Sequence, residues 1–178
     1  MASTTSANRS YPTKYVAVVG PGDEATREEN EVARQVGRLL AERGAILVCG
    51  GLGGVMAAAC EGAFKRGGLT VGLLPGSDRA TGNPYLTVAV PTGMGELRNG
   101  LVVRTADAVI AVGGSWGTLS EVALAMRTGK PIVAIGGWSV EDPIHGRPGK
   151  MPGTARSAEE AVDQALRLAT SALGSQVK

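Results

Sequence analysis

Aromatic residues are scarce in this chain of 178 residues, where Phe, Trp and Tyr together make up 3%. A hydrophobic core must therefore be built from Val, Leu, Ala and Ile, and no RNA-binding aromatic signature is present. The net charge is only +2, and acidic and basic residues are interspersed without a basic stripe. Because nucleic acid is bound by clustered cations, a nucleic-acid partner is not expected.

Long apolar runs are also missing from the sequence. The uninterrupted apolar segments fall far short of the roughly 20 residues that a membrane-spanning helix needs, so no membrane partner is expected. Residues 1–13 are polar, lack the apolar core of a secretory signal, and are interpreted as a disordered tail. The remaining residues 14–173 have a length typical of one domain.

Potential metal ligands are few: the chain has two cysteines, Cys49 and Cys60, and one histidine, His145. Cys49 ends an apolar run and Cys60 lies in an Ala-rich segment, which favours buried free thiols over a redox role. One histidine and two separated cysteines are too few for a protein-built zinc site. We therefore expect no metal, no resident cofactor and a reducing, cytoplasmic compartment.

Glycine, by contrast, is abundant: the 27 glycines are roughly twice the usual share, and most follow short apolar runs. Strands are predicted at Tyr15–Val19, Ala45–Val48, Thr70–Leu74, Leu86–Val90, Ala108–Val112 and Pro131–Ile135. A capping box at Thr26–Glu29 predicts the start of the first helix. Further helices are predicted at Val55–Lys65, Glu96–Thr105, Leu119–Arg127 and Ala158–Ala169. Residues 136–156 are predicted to be mostly loop. This alternation predicts an α/β fold of Rossmann-like type, a doubly wound parallel sheet of six to seven strands with helices on both faces.

Glycine clusters follow the first, second and fifth predicted strands. In open parallel sheets, ligands bind at the carboxyl ends of strands, near a switch in strand order. The first cluster, Gly20-Pro21-Gly22, starts a nominal dinucleotide fingerprint, but the second strand ends without the acid that would hold a ribose, which disfavours NAD or FAD. No P-loop string is present either, which excludes a P-loop NTPase on its own motif.

The segment Gly113–Thr118 carries the stronger signal, because small residues between a strand and a helix start leave N–H groups free at the positive helix end. That arrangement binds phosphate without a lysine, and Thr118 can add a hydroxyl donor. The alternative is a tight connection with Thr118 as a simple cap. The expected phosphate- or nucleotide-binding residues are Gly20, Gly22, Gly50, Gly51, Gly53, Gly54, Gly113, Gly114, Ser115, Trp116, Gly117 and Thr118. Trp116 either stacks on a base or sugar or packs under the loop, and Trp138 is placed to wall the pocket.

The stretch Gly113–Glu121 reads G-G-S-W-G-T-L-S-E and resembles the P-G-G-x-G-T-x-x-E hallmark of the LONELY GUY family and its relatives. Those relatives include proteins once labelled lysine decarboxylases and the molybdenum-cofactor carrier proteins. The G-T-x-x-E half matches fully, whereas Gly113 replaces the proline and Ser115 the second glycine. Gly50–Met56 is similar to the family's G-G-x-x-G-x-M turn, and the order of elements agrees over residues 15–135.

The resemblance implies two catalytic residues, Arg98 and Glu121. Family enzymes hydrolyse the N-glycosidic bond of nucleoside 5′-monophosphates, such as cytokinin ribotides, to the base and ribose 5-phosphate. A carboxylate at Glu121 would activate water or stabilise the oxocarbenium-like transition state, while Arg98 would pair with the phosphate or the leaving base. The alternatives are a solvated Glu121 and the competing cation Arg104.

Two classes of function remain open from the resemblance. Where the enzymes usually read H-x-R-K, this chain reads Glu96-Leu97-Arg98-Asn99, and its Arg-Asn pair is more like the carrier branch. The chain is thus expected to be a phosphoribohydrolase or a non-catalytic carrier or sensor of a phosphorylated ligand, such as a nucleotide or the molybdenum cofactor. A decarboxylase is rejected because no PLP-type site can be identified. Family members are commonly dimers, so a homo-oligomer is expected, with Val122–Met126 as a candidate contact.

Overall fold

The computed structural model describes residues 13–138 and 153–174; the predicted tail therefore lies almost wholly outside the described residues. The strands are β1 Tyr15–Val19, β2 Ile46–Cys49, β3 Thr70–Leu74, β4 Val88–Pro91, β5 Ala108–Val112, β6 Ile132–Ile135 and β7 Gly153–Thr154. The helices are α1 Arg27–Glu42, α2 Gly54–Phe64, α3 Asn99–Thr105, α4 Trp116–Arg127 and α5 Ala158–Gly174. Two 3-10 turns cover Arg79–Thr81 and Gly95–Arg98. No described helix is long and apolar enough to cross a membrane.

The seven strands form one parallel sheet in the order β4-β3-β2-β1-β5-β6-β7. The chain runs outward from β1 to β4, then returns to place β5 on the other side of β1. The strand order therefore switches between β1 and β5, and a crevice opens at their carboxyl ends. The predicted doubly wound parallel sheet of six to seven strands is confirmed.

Both faces of the sheet are covered by helices, as the near-continuous apolar strands predict. Val16 and Val18 of β1 belong to the core that packs against α1, α2 and α5. Ala17 and Val19, which point to the opposite face, belong to a second core with α3 and α4. This arrangement puts the N-termini of α1, α2 and α4 at the carboxyl edge of the sheet.

The predicted start of α1 is confirmed in detail. The Thr26 hydroxyl accepts a hydrogen bond from the N–H of Glu29 at 3.1 Å, and the Glu29 carboxylate accepts one from the N–H of Thr26 at 2.8 Å. These reciprocal bonds satisfy two donors that a helix start leaves unpaired. Gly44 follows the C-cap residue Arg43 with φ of 70°, and thus ends the helix as expected.

Several predicted boundaries differ from the structure. The predicted strand Leu86–Val90 is observed as Val88–Pro91; directly before it, the N–H of Thr87 is shared between the Thr70 hydroxyl at 2.8 Å and the Thr70 carbonyl oxygen at 3.1 Å. The single helix predicted for Glu96–Thr105 is a 3-10 turn followed by α3, with the change at Arg98.

Two further boundaries depend on contacts that the sequence pattern does not show. Helix α4 begins at Trp116 rather than Leu119, because Ser115 caps it. The segment 136–156, predicted to be mostly loop, contains the short strand β7, which pairs with β6; residues 139–152 lie outside the described residues. The predicted helix Ala158–Ala169 extends to Gly174 as α5.

Candidate functional site

The glycine turns after β1, β2 and β5 meet at the strand-order switch. The N–H of Val55, in the first turn of α2, donates a hydrogen bond to the carbonyl oxygen of Pro21 at 3.0 Å. A Cβ added at Gly20 would lie 2.6 Å from the carbonyl oxygen of Val112 at the end of β5. The three turns therefore form one crevice rim, as their positions at strand ends predict.

Arg98 and Glu121 are brought together beside this rim. The Arg98 Nη1 atom lies 3.8 Å from the Glu121 Oε1 atom, and both side chains are more than nine-tenths buried. Arg98 ends the 3-10 turn Gly95–Arg98, and Glu121 lies on α4, one turn after Thr118. The two residues that the family resemblance singled out thus lie side by side.

The Arg98 guanidinium lies directly over Gly50 at the end of β2. A Cβ added at Gly50 would come within 2.5 Å of both terminal nitrogens of Arg98. The Arg98 Nη1 atom donates to the Asn99 Oδ1 atom at 2.6 Å, and the Asn99 Nδ2 atom donates to the Ser120 Oγ atom at 3.2 Å. The end of β2 and the starts of α3 and α4 therefore hold the guanidinium in place.

One donor of this guanidinium is left over. The Arg98 Nε atom is buried and has no hydrogen-bond partner among the described residues. Leaving a buried donor unsatisfied is costly, and more so for a charged group. Arg98 thus keeps a buried N–H that the described residues do not satisfy.

Glu121 has an unusual acidity. Burial raises the pKa of Glu121 from its ordinary 4.5 to about 7, while the neighbouring Arg98 charge acts in the opposite direction. The carboxyl group therefore populates both its neutral and its ionised form near neutral pH. Such perturbed carboxyl groups are concentrated at functional sites, where they can give or take a proton.

The start of α4 is capped by Ser115, not by Thr118. The Ser115 Oγ atom accepts a hydrogen bond from the N–H of Thr118 at 3.3 Å and lies 3.0 Å from the Thr118 hydroxyl. Thr118 is almost completely buried, so the hydroxyl that was expected to meet a ligand faces Ser115 instead. The N–H groups of Trp116 and Gly117 lie in the first turn, where no intrahelical acceptor exists. An anion at this helix end would meet these two N–H groups and the Ser115 hydroxyl.

Gly113 has a different environment from the rest of the turn. Its φ is 64°, a left-handed backbone conformation that proline cannot adopt. The glycine that stands here in place of the family's proline is therefore compatible with this turn. The Glu29 carboxylate lies where a Gly113 side chain would be. A phosphate at Gly113 would meet this negative charge. An anion would meet less repulsion at Ser115–Gly117 than at Gly113.

A cavity of about 520 Å³ opens on the Glu29 side of Gly113. The charged residues that line it are two carboxylates and one arginine, namely Glu28, Glu29 and Arg156. Neither Arg98 nor Glu121 contributes to its lining. The excess of carboxylates makes this cavity a poor phosphate site compared with the start of α4.

Most glycines of the first two turns face other protein atoms. A Cβ at Gly54 would meet the carbonyl oxygen of Gly22, and one at Gly53 would meet the Asp23 carboxylate. A Cβ at Gly51 would lie 2.6 Å from a methyl carbon of Leu74. The close approach that these glycines allow is therefore between loops of the protein. No sequence pattern distinguishes this use of glycine from ligand contact, because both need the same missing side chain.

The two tryptophans lie in contact at the start of α4, with ring centroids 5.2 Å apart. Trp138 donates a hydrogen bond from Nε1 to the carbonyl oxygen of Ser115 at 3.3 Å and packs on Gly114. The Trp116 side chain is 78% exposed, so it does not pack under the loop. Trp138, which follows β6, therefore covers one side of the turn at Gly114 and Ser115.

Comparison with known proteins yields a family and several relatives. The model of the SLOG cluster4 family matches residues 13–165. A protein of Archaeoglobus fulgidus, described as uncharacterized, is 42% identical over 120 residues, which are 67% of this chain and 78% of that protein. The molybdenum cofactor binding protein of the phototrophic bacterium Rippkaea orientalis is 32% identical, with 95% of this chain and 100% of that chain covered and a TM-score of 0.76. The molybdenum cofactor carrier protein of Chlamydomonas reinhardtii is 30% identical, with coverages of 89% and 99% and a TM-score of 0.78.

Proposed function

The chain belongs to the SLOG cluster4 family, in the superfamily of LONELY GUY and molybdenum-cofactor carrier-like proteins, and from this premise we propose that it binds a phosphorylated small molecule. The ligand is a nucleotide or a pterin-type cofactor, held at the crevice between β1 and β5 without turnover. The observation that carries the proposal is Arg98, a buried cation with an unpartnered Nε beside the N-terminus of α4.

The ligand phosphate occupies the start of α4 in this proposal. The N–H groups of Trp116 and Gly117 and the hydroxyl of Ser115 donate to it, and the helix dipole favours its charge. Arg98 supplies the compensating positive charge from the side of β2. Asn99 engages Nη1 of Arg98, so Nη2 and the unpartnered Nε are the guanidinium nitrogens proposed to donate to the ligand.

A carrier role is favoured over turnover by two features of this chain. Asn99 stands where the family's enzymes usually have a lysine, and it fixes Arg98 through a 2.6 Å hydrogen bond. Two solved relatives at 30% and 32% identity are a molybdenum cofactor carrier protein and a molybdenum cofactor binding protein. A ligand that is bound and passed on needs recognition of its phosphate and ring, and no proton donor.

Hydrolysis of a nucleoside 5′-monophosphate is the second candidate, and it is favoured by the pKa of Glu121 near 7. In that reaction Glu121 takes a proton from water, the water oxygen bonds to C1′ of the ribose, and the C1′–N bond breaks. The bonding electrons leave with the base, which takes up the proton that Glu121 accepted from water, so the carboxylate is restored and ribose 5-phosphate remains. Replacing Glu121 by Gln should then lower turnover by ~100-fold with little change in affinity.

Calorimetric titration with ribose 5-phosphate and nucleoside 5′-monophosphates, with chromatography for free base, tests both candidates. Binding without release of base supports the carrier, and release that Glu121→Gln abolishes supports the hydrolase. Arg98→Gln should weaken binding, whereas Arg104→Gln, on the exposed side of α3, should not. If none of these phosphorylated compounds binds, the proposal fails. Where binding is found, the molybdenum content of protein produced with molybdate distinguishes a nucleotide ligand from the cofactor.

The proposal includes a homodimer formed through the surface of β4 and the α3 region. Exposed apolar side chains lie there, namely Val88, Val90, Met94, Leu97 and Leu101. The earlier candidate contact Val122–Met126 is less suitable, because Val122 and Ala125 are buried against the sheet. Light scattering should give a dimer mass for the wild type and a monomer mass for Leu97→Glu, whose substituted side chain is exposed in the single chain.

A further inference from the structure

The only two tryptophans of the chain lie side by side at the candidate anion site. Trp138 is held by its hydrogen bond to the Ser115 carbonyl oxygen and by its contact with Gly114. Its ring supports that of Trp116, at a centroid distance of 5.2 Å and an interplanar angle of 42°. Trp116 is the first residue of α4 and leaves most of its indole exposed.

We propose that the exposed face of Trp116 is a stacking platform for the heteroaromatic ring of the bound ligand. This inference rests on the proposed phosphate site and adds the subsite that recognises the ring. A purine or a pterin can stack on an indole, because each of these rings presents a flat π-face. The contact at 5.2 Å leaves no room for a ring between the two indoles, so the ligand stacks on the outer face of Trp116.

The position of Trp116 in the turn argues for a small ligand. Its N–H points into the anion site, while its side chain extends from the same residue, so one molecule can meet both. A nucleoside monophosphate has this form, with a ring and a phosphate joined by one sugar. A single exposed indole is also much smaller than the roughly 800 Å² per partner that a stable protein interface buries.

The two tryptophans provide their own probe, because all indole fluorescence of the protein comes from this pair. We would titrate the full chain with adenosine and guanosine 5′-monophosphates and, as the ring-free control, with ribose 5-phosphate. The nucleotides should quench the emission and bind about tenfold more tightly than ribose 5-phosphate. Ribose 5-phosphate should bind without quenching.

Substitutions at Trp116 separate stacking from phosphate binding. Trp116→Ala keeps the main-chain N–H at the anion site and places a good helix former in the first turn, so it should lower nucleotide affinity to that of ribose 5-phosphate. Trp116→Phe should recover most of the difference, because it restores an aromatic face. Far-UV circular dichroism should show wild-type helix content in each variant.

The outcomes distinguish this inference from the function on which it rests. Equal wild-type affinities for nucleotides and ribose 5-phosphate would overturn the stacking platform and leave the phosphate site standing. The same holds if Trp116→Ala weakens both classes of ligand to the same extent. If neither class binds to the wild type, the proposed function and the platform both fail.

Discussion

The Arg98 Nη1 atom lies 3.8 Å from the Glu121 Oε1 atom, and both side chains are almost completely buried. A buried ion pair contributes little to stability, because the cost of removing two charges from water offsets their attraction. Stability alone therefore gives a weak reason for this pair. Its place beside the strand-order switch, with one Arg98 donor unpaired, gives a functional one.

The first prediction concerns Gly50, which forms the floor under Arg98. A methyl group in Gly50→Ala would lie 2.5 Å from the terminal Arg98 nitrogens, so the guanidinium must move from its present position. We expect the affinity for ribose 5-phosphate to fall about tenfold and the free energy of unfolding to fall by about 1–3 kcal/mol. Calorimetry and urea unfolding measure the two effects.

Gly76→Ala is the matched control for this substitution, because a Cβ at Gly76 meets no atom within 4 Å. It should change neither quantity appreciably. Unchanged ligand affinity in Gly50→Ala would mean that the position of Arg98 does not matter for binding.

The second prediction uses the cap of α4 to separate stability from anion binding. Asp is as good an N-cap as Ser, so Ser115→Asp should change the free energy of unfolding by less than about 0.5 kcal/mol. Its carboxylate, however, lies at the N–H groups of Trp116 and Gly117 and repels phosphate. We expect ribose 5-phosphate binding to be lost in this folded variant.

Ser115→Ala provides the converse case. It removes the bond to the N–H of Thr118 and should cost about 1 kcal/mol of stability, without adding charge. Its ribose 5-phosphate affinity should stay far above that of Ser115→Asp. Normal phosphate binding by Ser115→Asp would place the anion elsewhere.

The fold could be predicted from the sequence because its signals are local. The capping box at Thr26 and the apolar runs of β1 and β5 depend only on neighbouring residues, and each was confirmed. The seventh strand could not be predicted, since Gly153–Thr154 is held by pairing with β6 and not by its own pattern.

The candidate site was predictable only in part. The family resemblance identified Arg98 and Glu121, which the structure brings together. The contact of the Glu29 carboxylate with Gly113 could not be predicted, because these residues belong to different turns and meet only in the folded sheet. For the same reason, the sequence did not reveal that Gly54 makes room for a carbonyl of the first loop.

The third prediction concerns the two cysteines. Both are fully buried free thiols, with Sγ atoms 3.5 Å apart, and burial together with the neighbouring Cys49 raises the pKa of Cys60. Because both sulfur atoms are out of contact with solvent, neither cysteine should react with a disulfide reagent such as DTNB in the folded protein. In urea, DTNB should titrate two thiols per chain. Rapid reaction before unfolding would contradict the burial of this pair.

The last prediction follows from the acidity of Glu121. Its pKa is raised by burial from 4.5 to about 7, so between these values the folded protein holds a proton that the unfolded chain has released. Stability falls with rising pH wherever the folded state binds more protons. The contribution of this proton is therefore fully present below pH 4.5 and is lost as the pH rises through about 7. For this carboxyl group alone the loss amounts to roughly 3 kcal/mol.

Glu121→Gln cannot ionise and should lack this part of the pH dependence. The free energy of unfolding in urea, measured from pH 5 to pH 8, should thus fall for the wild type relative to Glu121→Gln. Glu159→Gln, which removes a carboxylate from the exposed side of α5, should follow the wild type. Parallel curves for wild type and Glu121→Gln would show that Glu121 is ionised throughout this range, and its proposed part in proton transfer would then have no support.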